Sequence, residues 1–212
     1  MFDAVTVYNP SMNPNRVFHE QWHLAKADSG AFKFDVCAPS GSLVVYLVDK
    51  PNAETLGDSR GYAIVFDGRR DPALTFVSAI PGFPTPHGKS RTNRGFALNG
   101  EAGTCRSYWV VYEKGTVLVG EGDIPGDGAK NSKLITCLQN DEAHPVGIKY
   151  FGFGAMCRET KAIEIKNIRT FDAPAEGCSW RAIVPIRCAS NSPMAQSTEM
   201  FGSNAVACVV AE

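Results

Sequence analysis

The sequence predicts an all-β fold, an antiparallel two-sheet β-sandwich of the jelly-roll kind with little helix. Apolar residues occur in short runs, the longest at residues 43–48, and several of these runs alternate with polar residues as a half-buried strand does. Glycine (20 residues) and proline (13 residues) separate the runs, often at intervals of about 8–12 residues. Long segments with the 3.6-residue period of an amphipathic helix are almost absent.

The predicted strands follow one another along the chain, each ended by a turn signal. They cover residues 31–37, 43–48, 62–66, 74–80, 107–112, 116–119, 133–138, 146–153, 162–168, 179–187 and 205–210. In the first strand, Phe32, Phe34 and Val36 share one face. Lys33 and Asp35 lie on the opposite face. So many short strands in one chain are typical of two packed sheets.

The strongest local signal is a hairpin between residues 107–112 and 116–119. Gly115, in the intervening Glu-Lys-Gly, can take the positive φ that a tight turn needs. Gly120, further along the second strand, permits a bulge or a close backbone approach. Trp109 alternates within an apolar strand, so we expect its side chain to be buried.

The segment around this hairpin carries a wider pattern. Residues 106–122 read Arg-Ser-Tyr-Trp-Val-Val-Tyr-Glu-Lys-Gly-Thr-Val-Leu-Val-Gly-Glu-Gly, which is an aromatic pair, a glycine turn, an apolar strand and then Gly-x-Gly. Residues 32–48, 62–68 and 146–154 supply fitting strands before and after it. Over residues 30–168 the chain resembles the farnesoic acid O-methyltransferase-like (Methyltransf_FA) domain family. The resemblance implies a β-sandwich that serves varied proteins as a recognition or scaffold module.

We expect one domain built from three parts. Residues 1–29 pair with the core, residues 30–170 form the sandwich core, and residues 171–212 add C-terminal strands to the same domain. Both terminal parts carry apolar β-branched residues, such as Val5 and Val7 near the start. Burying such a side chain is favourable by roughly 1.5–3 kcal/mol, so free tails are not expected.

Charge and cysteine usage predict a cytoplasmic protein. Lys and Arg number 21 and Asp and Glu 22, so neither nucleic acid nor an anionic membrane is an expected partner. No apolar run approaches the roughly 20 residues of a spanning helix, and the first residues lack the pattern of a secretory signal. The seven cysteines form no Cys-x-x-Cys pair and several lie in apolar stretches, which favours reduced, packed thiols.

One motif raises the question of a metal site. Residues 19–23 read His-Glu-Gln-Trp-His, and on a helix the two histidines would share a face and bind zinc, with Glu20 as general base. Glu54 and Asp58 follow in E-x-x-x-D spacing. Ser29 occupies the position six residues after the second histidine, where a third zinc ligand would be expected.

The same segment also fits a strand. Residues 18–25 would turn at residues 28–30 into residues 31–37 as a hairpin, and His19 and His23 would then lie on one face about 13 Å apart. That separation is too large for one metal ion. We therefore predict no metal and no cofactor, with a zinc hydrolase as a less favoured alternative.

Other catalytic signatures are weak. Gly-Phe-Gly at residues 152–154 lacks the third glycine and the βαβ unit of a nucleotide site. No Gly-x-Ser-x-Gly sequence occurs. A nucleophilic cysteine activated by a histidine stays an alternative, because the sequence alone does not place four candidate residues. They are Cys105, Cys137, His87 and His144. These observations favour a protein that is not an enzyme, with a methyltransferase as another less favoured alternative.

The leading hypothesis is a non-enzymatic intracellular module that binds other proteins as a subunit of a larger assembly. Its candidate contact residues, in a positively charged Pro- and Gly-rich loop at residues 81–97, are Lys89, Arg91 and Arg94. The alternative is a carbohydrate- or small-ligand-binding module of lectin-like character, in which exposed aromatic faces would hold sugar rings. Its candidate residues are Trp22, Trp109 and Trp180.

Overall fold

A computed structural model places the chain in two six-stranded antiparallel sheets that pack face to face. The structure describes residues 4–9, 16–37, 41–51, 59–67, 74–80, 91–94, 104–125, 131–139, 145, 147–155 and 159–172. These ranges contain strands and turns but no helix, which confirms the predicted all-β sandwich.

Within the described ranges, twelve strands build the two sheets. They are β1 (Val5–Asn9), β2 (Arg16–His23), β3 (Ser29–Cys37), β4 (Ser42–Val48), β5 (Gly61–Asp67), β6 (Leu74–Ile80), β7 (Arg91–Arg94), β8 (Arg106–Glu113), β9 (Thr116–Glu121), β10 (Lys133–Gln139), β11 (Tyr150–Ala155) and β12 (Glu159–Phe171). Sheet 1 has the order β1-β12-β3-β8-β9-β10, and sheet 2 the order β2-β11-β4-β5-β6-β7. The N-terminal strands β1 and β2 are therefore edge strands, one in each sheet.

The core lies between the sheets and is dominated by aromatic rings. Phe32 of β3 stacks on Phe151 of β11 with ring centroids 4.0 Å apart, and Phe34 meets Phe153 edge-on at 5.1 Å. All four side chains are fully buried. Alternation along each strand produces this layer because every second side chain points toward the partner sheet. Each such ring contributes roughly 1.5–3 kcal/mol through burial.

The predicted central hairpin is confirmed. Strands β8 and β9 pair in antiparallel register from Tyr108 opposite Glu121 to Glu113 opposite Thr116. The two residues between them have positive φ angles, 40° at Lys114 and 82° at Gly115. That geometry is the two-residue turn whose twist matches the flanking strands.

Strand β11 begins later than the sequence predicts, at Tyr150 rather than at residue 146. The cause is Asp28 in the β2–β3 connection. Its carboxylate accepts the backbone N–H groups of Gly147 and Ile148, each at 2.9 Å. Its own N–H donates to the Ile148 carbonyl at 2.8 Å. These hydrogen bonds hold Gly147 and Ile148 against the β2–β3 connection. Regular pairing with the neighbouring strands of sheet 2 therefore starts only at Tyr150.

The predicted hairpin between residues 18–25 and 31–37 is wrong. β2 belongs to sheet 2 and pairs with β11, whereas β3 belongs to sheet 1 and pairs with β8 and β12. Lys26 and Ser29 form only an isolated bridge in the connection. The chain crosses from one sheet to the other here because both strands carry core side chains, Trp22 and Phe32, that face each other's sheet.

The His-Glu-Gln-Trp-His segment forms a bulge in β2. Phe18 pairs with Gly152 and His23 with Tyr150, so β2 advances five residues where β11 advances two. The extra residues interrupt the regular ladder. Within the bulge, Trp22 enters the core while His19 remains exposed.

The expectation of reduced thiols is wrong for three cysteines. Cys37, at the end of β3, forms a disulfide with Cys105, just before β8. Cys137 of β10 is also disulfide-bonded. Strands β3 and β8 are neighbours in sheet 1, and the Cα atoms of Cys37 and Cys105 are 4.1 Å apart. Sequence spacing did not reveal this pair because 68 residues separate its members.

Candidate functional site

The tryptophans predicted as ligand contacts are buried. Trp22 is 4% exposed in the core, where it stacks on Phe151 at 6.2 Å and meets Phe153 edge-on at 5.3 Å. Trp109 is fully buried, which confirms the expectation for its burial. Neither ring therefore offers a free face to a sugar in this structure. Trp180 lies outside the described residues.

The predicted basic contact residues are only partly placed. Lys89 lies outside the described residues. Arg91 and Arg94 are the first and last residues of β7, with their backbones opposite Val77 and Leu74 of β6. The structure describes no side chain in this strand.

The outer face of sheet 1, which points away from sheet 2, brings polar side chains of three strands together. Lys33 of β3 lies opposite Trp109 of β8 and Arg169 of β12. Asp35, two residues along β3, lies opposite Ser107 of β8. Residues paired across antiparallel strands share one face of the sheet, so these side chains form two adjacent rows. We call this set the polar rows.

Within the polar rows, the Asp35 carboxylate accepts two side-chain hydrogen bonds. One carboxylate oxygen accepts the Ser107 hydroxyl, and the other accepts the Asn167 side-chain amide at 2.7 Å. Asn167 has a φ of 52° at an irregularity in β12, a conformation that asparagine tolerates better than most residues. The irregularity turns the exposed amide toward Asp35, and the amide forms no other hydrogen bond within the described residues.

The second row carries charge. Lys33 forms an ion pair with Asp123 at 2.9 Å, the side chains being 24% and 47% exposed. Arg169, opposite Lys33, is exposed and forms no ion pair or hydrogen bond within the described residues. In the other row, Lys166 is the Cα partner of Asp35, and its side chain forms an ion pair with Glu164 at 2.9 Å.

An apolar patch adjoins the polar rows on the same face. Its buried members are Ala31, Trp109, Val111, Leu118 and Ile124. Phe171, opposite Ala31, packs against them and keeps part of its side chain exposed. From Ala31 to Asp35 the face extends about 13 Å along β3. Because the five buried members are at most 1% exposed, the accessible apolar area on this face belongs to their partly buried neighbours Leu134, Cys137 and Phe171.

The outer face of sheet 2 is different in character. Its middle is apolar and buried, with Val44, Tyr46, Val48, Ala63, Val65 and Ile80. At one end, Ser42 donates its hydroxyl to Asp67 at 2.8 Å, and both residues are buried. This polar pair is therefore inaccessible to a ligand, unlike the polar rows of sheet 1.

Two core tyrosines have strongly shifted ionisation. Burial raises the pKa of Tyr108 well above its ordinary value, and the nearby Glu121 carboxylate raises it further. Burial likewise raises the pKa of Tyr112, with Tyr62 adding to the effect. Both phenols stay protonated at neutral pH, so neither supplies a base.

The described residues contain no group of three His, Cys, Asp or Glu side chains arranged to hold a metal ion. His19 and His23 are both exposed, on a bulged edge strand rather than on a helix. In the same part of the chain no helix is long and apolar enough to cross a bilayer.

Comparison with known proteins finds similar folds among solved structures. No family model and no curated protein matches it. Among solved structures, the VIP36 exoplasmic/lumenal domain in its Ca2+/Man-bound form is 12% identical, with a TM-score of 0.52 over 92% of each chain. Sheep galectin-11 in complex with glycerol is 12% identical, with a TM-score of 0.42 over 74% of this chain and 97% of that one. The carbohydrate-binding module CBM66 from Bacillus subtilis is 9% identical, with a TM-score of 0.45 over 80% and 96%.

At 12% identity, the likeness to the VIP36 domain shows the fold alone. The chain therefore shares the two-sheet sandwich fold of that domain.

Sequence reasoning placed Lys33 and Asp35 on one strand face but assigned them no role. Asn167, Ser107 and Asp123 were missed as their partners because 132, 72 and 90 residues separate the members of these contacts. The only indication in the sequence was the alternation in β3, which places the charged residues Lys33 and Asp35 on the face opposite the core.

Proposed function

We propose that the protein is a non-enzymatic carbohydrate-binding module that holds its ligand on the outer face of sheet 1. The observation that carries this proposal is the Asp35 carboxylate, fixed by Ser107 and by the exposed amide of Asn167. Next to it lies an apolar patch that ends in the partly exposed ring of Phe171.

This combination suits a sugar for a physical reason. A sugar ring has apolar C–H faces and hydroxyl groups that both donate and accept hydrogen bonds. Asp35 can accept from a hydroxyl, and the free carbonyl and N–H of the Asn167 amide can accept and donate. Because both side chains are already held in place, little conformational entropy is lost on binding.

The fold supports the same proposal. The VIP36 domain shares the architecture over 92% of both chains and was solved with Ca2+ and Man bound. The binding of other proteins as part of an assembly stays a prediction, as do the cytoplasmic location and the resemblance to the Methyltransf_FA family. A disulfide between Cys37 and Cys105 fits an oxidising compartment better than the cytoplasm.

A glycan array followed by calorimetry tests the proposal. The probe is the purified protein with its disulfides intact. We expect binding to a subset of glycans, and we expect Asp35→Asn to weaken it about tenfold, as loss of a hydrogen bond to a charged group does. Asp49→Asn is the matched control, because Asp49 caps the backbone of Arg60 away from sheet 1.

Absence of binding across the array would contradict the proposal. So would equal glycan affinities of the Asp35→Asn variant and the wild type, provided that both melt at similar temperatures. A loss of the same size in Asp49→Asn would show an indirect effect on stability rather than a contact.

A further inference from the structure

We infer that the preferred ligand is an anionic oligosaccharide whose carboxylate or sulfate group lies against Arg169 and Lys33. This inference rests on the proposed function and names the class of sugar. It starts from the register of β12 and β3, in which Arg169 and Lys33 are direct Cα partners on the outer face of sheet 1.

Two cations directly opposite each other repel, which destabilises an antiparallel pair of strands. Lys33 is compensated by Asp123 at 2.9 Å. Arg169 has no such partner within the described residues and is exposed. An anion bound beside both side chains would remove the repulsion, so the ligand's charge would stabilise the sheet as well as the complex.

The chemistry of arginine narrows the choice of anion. A guanidinium group presents parallel N–H donors that match the two oxygens of a carboxylate or sulfate. Phe171 lies two residues beyond Arg169 and pairs with Ala31 in the neighbouring apolar row. The partly exposed Phe171 ring therefore lies in the row next to Arg169, where the apolar face of the sugar ring would pack.

The geometry also links the anion to the sugar hydroxyls. The row of Lys33 and the row of Asp35 are two residues apart along β3, about 6.6 Å. One acidic sugar residue could therefore place its anionic group at Arg169 and a hydroxyl at Asp35. The Asp35 row also holds a cation, Lys166, but that side chain already forms an ion pair with Glu164 at 2.9 Å. The anionic group of the ligand is therefore expected beside Arg169 rather than in the Asp35 row.

The test compares matched sugars, one member of each pair being anionic and the other neutral. One pair is trigalacturonate and its fully methyl-esterified form, and the other is 3′-sulfated lactose and lactose. At low salt we expect roughly tenfold tighter binding of the charged member in at least one pair. The pair that shows the difference identifies carboxylate or sulfate as the anion.

Arg169→Gln should abolish the preference for the charged sugar, so that the charged and neutral members of the pair bind this variant with equal affinity. Lys26→Gln is the matched control, since it removes one exposed positive charge outside the polar rows. The preference should also decrease as salt is added.

Equal affinity for charged and neutral members of both pairs would overturn this inference while leaving the proposed function intact. A preference that survives in Arg169→Gln, or that Lys26→Gln removes equally, would overturn the assignment to Arg169. Failure to bind any glycan on the array, charged or neutral, would overturn the proposed function itself.

Discussion

Trp109 and Gly120 depend on each other at the level of single residues. They are direct partners across β8 and β9, and the indole occupies the space beside the glycine. A Cβ built at position 120 would lie 2.0 Å from Cζ2 of Trp109 and 2.7 Å from the carbonyl oxygen of Lys133. The glycine is therefore required by the neighbouring side chain and strand.

Trp109→Ala should lower the free energy of unfolding by about 3–5 kcal/mol, as large aromatic deletions in cores do. Gly120→Ala should also destabilise the protein, because its methyl group displaces the indole. In the Trp109→Ala background the same glycine change should cost less, since only the clash with Lys133 remains. Denaturant unfolding of the two single variants and the double variant measures this coupling. Strictly additive costs would show that the two residues do not interact.

The buried phenols predict a loss of stability at high pH. The folded-state pKa values of Tyr108 and Tyr112 lie above the value of about 10 that unfolded tyrosine has. Below about pH 10 both states keep the proton, so stability is unaffected. Above that pH the unfolded chain loses the proton first, and stability falls as pH rises.

Tyrosine absorbance and unfolding midpoints, recorded from about pH 8 to about pH 12, check this expectation. We expect these phenols to ionise only as the protein unfolds. Tyr108→Phe should flatten the alkaline decline of the midpoint. Ionisation of all six tyrosines near pH 10 in a still-folded protein would contradict it.

At the scale of elements, the β8–β9 turn is a clear case of local control. Lys114 and Gly115 both adopt positive φ, and the sequence predicts the turn because glycine tolerates that conformation. Gly115→Ala should cost about 1–2 kcal/mol, the penalty for left-handed backbone with a Cβ. Lys114→Asn should be neutral or stabilising, because asparagine favours this position.

Thermal or denaturant unfolding measures both turn variants against the wild type. A Gly115→Ala protein with unchanged stability would mean that the turn relaxes to another type. In that case the register of Glu113 opposite Thr116 should also change.

Strand positions follow from local pattern, whereas strand partners do not. The apolar runs at residues 31–37, 43–48 and 74–80 are all strands in the structure. Each could be predicted because burial of one or both faces of a strand determines where its apolar residues occur. The prediction of a β2–β3 hairpin was wrong because Asp28, in the expected turn, instead accepts hydrogen bonds from Gly147 and Ile148, about 120 residues away. No local pattern encodes that contact.

At the scale of the whole molecule, the Cys37–Cys105 disulfide closes a 68-residue loop that contains most of sheet 2. The bond joins the ends of β3 and β8, two residues from Asp35 and Ser107 respectively. It therefore limits the motion of the strands that carry the proposed site.

Replacing both Cys37 and Cys105 by serine should lower the free energy of unfolding by about 4 kcal/mol, the loop-closure estimate for this separation. Denaturant unfolding without reductant measures the change. The same experiment on wild type with reductant should give a loss at least as large, because Cys137 is also disulfide-bonded. Equal stability of the variant and the wild type would contradict the disulfide's structural role.

In the proposed site, too, contacts within one strand could be predicted from the sequence, whereas contacts between strands could not. Alternation in β3 predicts that Lys33 and Asp35 share a face, since one strand decides it. The meeting of Asp35 with Asn167 depends on the pairing of β3 with β12 and on an irregularity within β12. These are properties of the assembled sheet, so the site could not be recognised before the fold was known.

Amide NMR spectra of the labelled protein, titrated with a glycan that binds on the array, show whether the glycan lies on the outer face of sheet 1. We expect the largest shifts at Lys33, Asp35, Ser107 and Asn167, with little change at Val44 to Val48 on sheet 2. Shifts confined to sheet 2 or to the β2 bulge, with the polar rows unchanged, would contradict this placement of the glycan.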